Sequence, residues 1–486
     1  MKNMRLKSKK EQKIIFQLLI IAFIIRIIFV FYIPLKDWDE TVYANLAYEI
    51  SKNPLYYSLN NSDWSDYIPS GGKYGWPKIG FRPPLFPYML SFFYILNLDF
   101  LISLFSPLIG AISVYFVYVL GKKLFNQRVA LYSSILFLLL PFHVIYSAKI
   151  MPDVLLTFLT LLTFLSFWKG YEENNEKYKI LFGVLLALCT LTKYTAFFVM
   201  PVFLLYLLLK RKSISFLIDK YFWYSILAFF VTLAPWFVYG IFEYENMFSP
   251  FIHGIIASKY WGGHKSWYFF FLYWFRLFSF TGIIFFVSLI FLYKKVLSDK
   301  KLFILFIWSI IFLAIASYLP HKEERYILPI FPPIALVSAY FLDNIKKYKK
   351  KIMLFVIFVS LFSLSFELNL NIYYTQSKIC FLRTLYFLKN VNENSLIITD
   401  ESPIVYYYTK LKTHFYPNPW NFEIIKEWIK KDYKSREIYV IFGDYLVKSD
   451  EEKNKIKEDL ENNSEIVWSC SEGKSYSVVY KINKNA

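Results

Sequence analysis

Long apolar runs separated by short basic clusters dominate this chain, and that alternation leaves few folds open to it. Lysine and arginine concentrate at 2–13, 122–128, 210–212, 294–301 and 346–351, and most of the runs between them are long enough to cross a bilayer. A chain of 486 residues that is 57% hydrophobic and 22% aromatic, with only 19% charged residues, has too little polar surface for a soluble domain. It reads as a polytopic α-helical membrane protein surrounded by membrane lipid. The formal net charge of +19 would point to nucleic acid in a soluble protein. Here the clusters follow the positive-inside rule, so orientation accounts for the charge and no nucleic acid partner is expected.

The run 14–33 follows a basic start and ends in Pro34-Leu35-Lys36-Asp37, without a small-residue cleavage pattern, so it reads as a retained first span. With the basic clusters inside, the runs 101–120, 129–146, 154–168, 178–191, 197–209, 222–241, 277–292, 302–318, 326–342 and 353–368 complete about eleven spans. The segment 84–96 is expected as an aromatic helix at the outer interface, and the mixed-charge linker 169–179 carries no orientation signal. Two substantial loops, 34–82 and 243–276, then face outward. Residues 1–370 form a membrane domain, and from 371 to 486 the composition turns polar. There 395–399, 437–442, 466–469 and 476–482 read as strands and 422–431 and 451–461 as amphipathic helices, giving a small extracytoplasmic α/β domain. Cys380 and Cys470 flank this region, and a disulfide between them is open.

Four outward constellations carry chemistry. Asp37-Trp38-Asp39-Glu40-Thr41 sets three carboxylates within about one helical turn, a pattern suited to a general base and a divalent-metal seat, or more simply to a helix N-terminus. Ser147-Ala148-Lys149-Ile150-Met151-Pro152-Asp153 puts an Asp and a Lys at the membrane edge. The lysine can snorkel, whereas Asp153 is too short and needs a partner. Leu191-Thr192-Lys193-Tyr194-Thr195 interrupts two apolar runs with one ammonium, at the depth of a lipid-borne phosphate or of an interfacial anchor. Pro320-His321-Lys322-Glu323-Glu324-Arg325-Tyr326 is a dense charged string between two spans, more than a plain connection needs.

Arg26 lies within the first span, roughly 12 Å of helix below Pro34, and its guanidinium is expected to reach toward the acidic cluster. Trp38, Trp64, Tyr67, Tyr74, Trp76, Trp261, Trp267 and Tyr268 enrich the loops in rings that stack on sugars or form an aromatic belt. His253 and His264 are loop histidines able to ligate a metal or stay solvated. Asn60-Asn61-Ser62 and Asn462-Asn463-Ser464 are sequons.

Taken together, the acidic pair after the first span, Arg82-Pro83-Pro84-Leu85-Phe86-Pro87-Tyr88, the Ser-x-Lys-x-x-x-Asp turn, Leu-Thr-Lys and His-Lys-Glu-Glu-Arg-Tyr resemble the GT-C glycosyltransferases. The likeness is strongest to protein O-mannosyltransferase and aminoarabinose-transferase-like enzymes, and His321 to Arg325 resembles a string of dolichol-dependent mannosyltransferases. It covers about residues 14–370. The resemblance implies inverting transfer from a polyprenyl-phosphate sugar to an acceptor hydroxyl on the outer face. The leaving lipid phosphate needs cations, for which Lys193, His321, Lys322, Arg325 and Arg82 are the candidates. Asp39 is the expected base, with Glu40 and Asp153 positioning it or joining it around a divalent metal, on which relatives differ. Arg26, Asp37 and Glu324 are expected to orient the others. A transporter or flippase is the competing class, but it calls for charges near mid-bilayer and an internal repeat, and the sequence shows neither apart from Arg26.

Overall fold

Every apolar run assigned to a span is helical in the computed structural model, which describes residues 2–59, 82–211, 215–252, 254, 264–417, 420–431, 436–446 and 448–483. Trp64, Tyr67, Tyr74, Trp76, Trp261, His253 and the sequon at 60–62 lie outside these residues. Among the described residues, eight helices are long and apolar enough to cross a membrane, and a ninth crossing results if Gln127–Leu138 and Pro141–Ser147, bent by 62°, count as one. Two of the eleven expected spans are shorter pieces, Glu176–Thr192 and Tyr194–Lys210. The chain is thus an integral membrane protein with a small C-terminal sheet.

Two compact units make up the chain, one of 1–31, 80–89 and 100–368, the other of 32–79, 90–99 and 369–486. In the first unit Pro152–Glu172 and Glu324–Asn344 are the central helices, with 83% and 78% of their spanning windows buried by protein. The first helix, α1 (Lys2–Tyr32), has only 17% of its window covered and turns Phe16, Ile20, Ile24 and Phe31 outward, as a helix facing lipid does.

Charges in this unit gather at two ends. At one end Glu11 pairs with Lys122, Lys123 with Glu173 at 2.6 Å, Lys300 with Glu172 at 3.1 Å and Lys349 with Asp343 at 3.5 Å, while Lys210 bonds the Leu297 carbonyl. All five basic clusters therefore share an end, and the linker 169–179 belongs there too. Asp153 begins the helix whose continuation carries Glu172, so Asp153 and its neighbours mark the other end.

Small residues let these helices approach closely. A Cβ on Gly183 would collide with the backbone carbonyl oxygen of Ser225 on Lys220–Tyr244. Gly183→Ala is expected to cost about 1–3 kcal/mol through overpacking, read as a lowered unfolding midpoint in detergent micelles. An unchanged midpoint would mean that the two helices separate without penalty.

The second unit is built on a five-stranded sheet of order β2-β1-β3-β5-β4, with β1 (Leu396–Ile398), β2 (Lys412–His414) and β3 (Ile438–Gly443) parallel and β5 (Ser475–Ile482) antiparallel to β3 and to β4 (Ser464–Glu472). Alternate residues serve opposite faces. Leu396, Ile398, Val440 and Phe442 pack with Ile425, Ile456 and Leu460 from helices Phe422–Lys431 and Asp450–Asn463. Ile397, Tyr439 and Ile441 pack with Phe381, Leu385, Ile404 and Val405 from Ile379–Leu388 and Ser402–Thr409. Cys380 and Cys470 form a disulfide.

Residues of the first loop belong to this same unit. Leu35 enters the second face, and α2 (Trp38–Lys52) docks on Ser402–Thr409: Asn45 Nδ2 donates to the Pro403 carbonyl at 2.8 Å, and the Tyr406 hydroxyl donates to Glu49. The sequence boundary at 370 therefore leaves out a part of this unit that lies between the first and second membrane runs.

Candidate active site

Two charged constellations emerge, one in each unit. In the membrane unit, Pro152 opens its helix at the first turn and places Asp153 there, where the helix dipole favours an anion. Lys193, the C-cap of Glu176–Thr192, brings Nζ to 2.5 Å from Asp153 Oδ1. Asp153 is the partner the lysine finds, and Lys193 answers the question of how so short a buried acid is satisfied. The ammonium also lies 4.5 Å from the Tyr326 ring, a cation–π contact. Asp153 Oδ2 is buried and accepts no hydrogen bond among the described residues.

The string 320–326 folds so that Glu323 becomes a hub. Arg325 Nη2 donates to Glu323 Oε1 at 2.8 Å and its Nε lies 2.8 Å from Oε2, while His321 Nε2 and the Tyr326 hydroxyl approach Oε1 at 3.1 and 3.3 Å. Arg325 Nη1 points at the Met151 sulfur at 3.1 Å, a weak acceptor. Arg325 and Glu323 both act electrostatically on Lys193, so the clusters 151–153, 193 and 321–326 form one site. Lys322 turns away from it. Its ammonium donates to the backbone carbonyl of Lys265 at 2.7 Å and to that of Leu319, clamping the loop where His264 bridges His321. Lys149 lies 5.7 Å from the Tyr146 ring, Glu324 begins a 3₁₀ turn, and Arg82 is buried in the same unit.

Arg26 is wholly buried. Its guanidinium donates to the Ala22 carbonyl at 2.8 Å and lies 3.0 Å from His143 Nδ1 on the bent helix pair. Sequence reasoning named Glu323, Tyr326 and Met151 within their strings without giving them a role, and passed over His143. An acid two residues from a histidine and two from an arginine was the available signal for Glu323, shared in type by its neighbour Glu324. A second pair it missed is Arg276 Nε to Glu367 Oε1, 2.5 Å apart with Glu367 almost fully covered.

In the second unit the acidic cluster resolves into separate tasks. Asp37 is the N-cap of α2, and Glu40 Oε2 accepts the Asp37 backbone N–H at 3.0 Å while its other oxygen lies 3.8 Å from Lys36 Nζ. The helix-terminus reading thus holds for Asp37 and Glu40. Asp39, half-buried on the first turn, has no part in that cap.

The carboxylates named for a metal lie in different settings. Glu40 and Asp153 are already engaged by a backbone N–H and by lysines, and no group of three or more His, Cys, Asp or Glu among the described residues is placed to hold an ion.

Beside the cap, burial pushes the Glu401 carboxyl up to about 7, with Lys378 opposing and Asp400 and Asp37 adding to the shift. Burial likewise raises Asp400 to about 6, Lys448 opposing and Glu452 adding. A raised carboxyl holds its proton longer in the folded state, so the stability it contributes is full below the unfolded value and is lost as pH rises through the folded value. Thermal unfolding of the full chain is therefore expected to show a midpoint that falls from about pH 5 to about pH 8, less steeply in Glu401→Gln. Equal slopes in the two proteins would contradict this assignment.

Residues 81–239 match the family model of dolichyl-phosphate-mannose-protein mannosyltransferase. The chain is 27% identical over 374 residues, 71% of its length, to an undecaprenyl phosphate-alpha-4-amino-4-deoxy-L-arabinose arabinosyl transferase of Wigglesworthia glossinidia brevipalpis. It is 28% identical over 286 residues, 57% of its length, to an uncharacterized protein of Aquifex aeolicus (strain VF5). The match spans 62% and 56% of the lengths of those relatives. The fold is similar to ArnT from Cupriavidus metallidurans bound to undecaprenyl phosphate, with a TM-score of 0.70 at 12% identity over 96% of this chain and 97% of that one. It is also similar to the archaeal oligosaccharyltransferase AglB from Archaeoglobus fulgidus, with a TM-score of 0.57 at 12% identity over 88% and 69% of the two chains. The chain thus shares the fold of these membrane proteins, and its segment 81–239 carries the likeness to the mannosyltransferase family model.

Proposed function

We propose that the chain is an inverting glycosyltransferase that moves a hexose or pentose from a polyprenyl-phosphate donor to a hydroxyl of a protein, lipid or lipid-linked glycan at the outer face of the membrane. The observation that carries this reading is the partly buried knot of Asp153, Lys193, Glu323 and Arg325 at the end of the helical unit opposite the basic clusters. The arabinosyl transferase relative and the mannosyltransferase family model support the donor class. The basic clusters support a cytoplasmic end, and the Cys380–Cys470 disulfide supports an oxidising compartment for the C-terminal unit.

In this reaction the acceptor oxygen attacks the anomeric carbon from the face opposite the phosphate. The sugar–phosphate bond breaks, its electron pair leaves on the lipid phosphate, and the acceptor proton passes to Asp39. Lys193 and Arg325 offset the charge gathered by the phosphate. For Arg325 Nη1 a phosphate oxygen is a far better acceptor than the thioether of Met151. Glu323 and Asp153 hold the two cations in place.

Incubation of the purified protein with a panel of polyprenyl-phosphate sugars, followed by mass spectrometry of the lipids, tests the reading. One donor should be converted to polyprenyl phosphate when acceptor is supplied. A panel left wholly intact would overturn it.

A further inference from the structure

The C-terminal unit carries a sheet edge that the catalytic reading does not use. In open sheets of parallel strands, ligands bind beyond the carboxyl ends of the strands, where the strand order reverses. Here β1 lies between β2 and β3, so the chain leaves β1 on one side, returns on the other, and creates such a point. The residues just past the carboxyl ends are Asp400 and Glu401 after β1, Phe415 after β2, and Asp444 and Tyr445 after β3.

The start of α2 is mounted on this edge. The Trp38 and Phe415 rings lie 5.7 Å apart, and Asp37 acts electrostatically on both Glu401 and Lys378. The edge is also incompletely satisfied. The Tyr445 hydroxyl, on a residue only 6% exposed, feels Glu401 and Asp400 and has Ser477 within reach, yet makes no hydrogen bond of ordinary geometry among the described residues. Asp444 Oδ1 is buried and equally without a partner there.

Carboxylates, a phenol and an aromatic pair are the groups that recognise vicinal hydroxyls and the apolar face of a sugar ring. The lysine among the acids and the lack of a three-ligand cluster among the described residues argue against a cation. We infer that the carboxyl edge of β1 and β3, with Asp400, Glu401, Asp444, Tyr445 and Trp38, is a polyol site that seats a glycan acceptor beside Asp39. The acceptor assignment rests on the reading of Asp39 as the base; the polyol site itself does not.

Saturation-transfer NMR of neutral methyl hexosides with the full chain in nanodiscs tests it. Asp444→Asn and Tyr445→Phe keep shape, and Tyr445→Phe retains the ring packing against Phe381, so unfolding midpoints close to that of the unsubstituted chain accompany a meaningful result. Each should weaken hexoside binding about tenfold or more. Addition of undecaprenyl phosphate and its sugar-loaded form should leave the signal in place. Unchanged binding in both variants, absence of binding by the unsubstituted chain, or a signal that appears only with added Ca²⁺ would overturn the site. Displacement by the sugar-loaded lipid would overturn the acceptor assignment. Hexoside binding lost in Tyr445→Phe while the donor panel stays intact would sink the transfer reading and leave the polyol site standing.

Discussion

Asp39→Asn is expected to lower single-turnover transfer by about 10² to 10⁴-fold while donor binding and fold stay as they are. The amide keeps the size of the side chain but cannot take the acceptor proton. The structure separates the three carboxylates, because Asp37 and Glu40 cap α2. Glu40→Gln should therefore act mainly on stability: the amide oxygen still accepts the Asp37 N–H, and the charge facing Lys36 is lost. Rate at saturating donor and acceptor, set beside a donor-binding isotherm, separates the two effects. Transfer at the unsubstituted rate in Asp39→Asn would move the base elsewhere, with Asp153 next to be examined.

Lys193→Ala and Arg325→Ala should each weaken use of the donor by roughly 2–4 kcal/mol, the worth of a charge-assisted contact in a partly dehydrated site. Lys193→Ala also leaves Asp153 buried without its counter-charge, which by itself destabilises by about 3–5 kcal/mol. The double variant Lys193→Met, Asp153→Leu removes that penalty. It should fold as well as the unsubstituted chain and still fail to bind polyprenyl phosphate. Normal phosphate affinity in the double variant would make the pair a structural bridge and nothing more. Arg325→Lys is an informative companion, since a lysine cannot reproduce the two-pronged contact with Glu323 while also reaching a phosphate.

Hydropathy alone carried the membrane half of the fold, because a lipid-facing helix has no other way to satisfy its backbone. It did not carry breaks within a run. The stretch 129–146 reads as one span, but Pro141 starts a new helix and bends the path by 62°. In the C-terminal unit the helix Phe422–Lys431 and strands β1, β3, β4 and β5 followed from periodicity. The three residues of β2 are too few to show alternation, and the two helices that cover one face, Ile379–Leu388 and Ser402–Thr409, merge with their surroundings in composition.

The site was legible in residue type and not in pairing. That Asp153 needed a partner followed from its short side chain, but its partner lies 40 residues away and only the fold names it. Likewise the two acids of the 321–325 string look alike in sequence. Glu323 becomes the hub because it ends the extended stretch, whereas Glu324 enters the following turn. No local pattern announces that α2 docks on Ser402–Thr409, since contacts such as Asn45 to Pro403 join positions 358 residues apart.

The central claim is that the bond between sugar and lipid phosphate breaks at the anomeric carbon, with inversion. A donor labelled with ¹⁸O at the bridging oxygen tests it in one experiment. The account predicts that all of the label leaves with polyprenyl phosphate and that the product carries the opposite anomeric configuration. Label found in the glycosylated product, or a product of retained configuration, would contradict it.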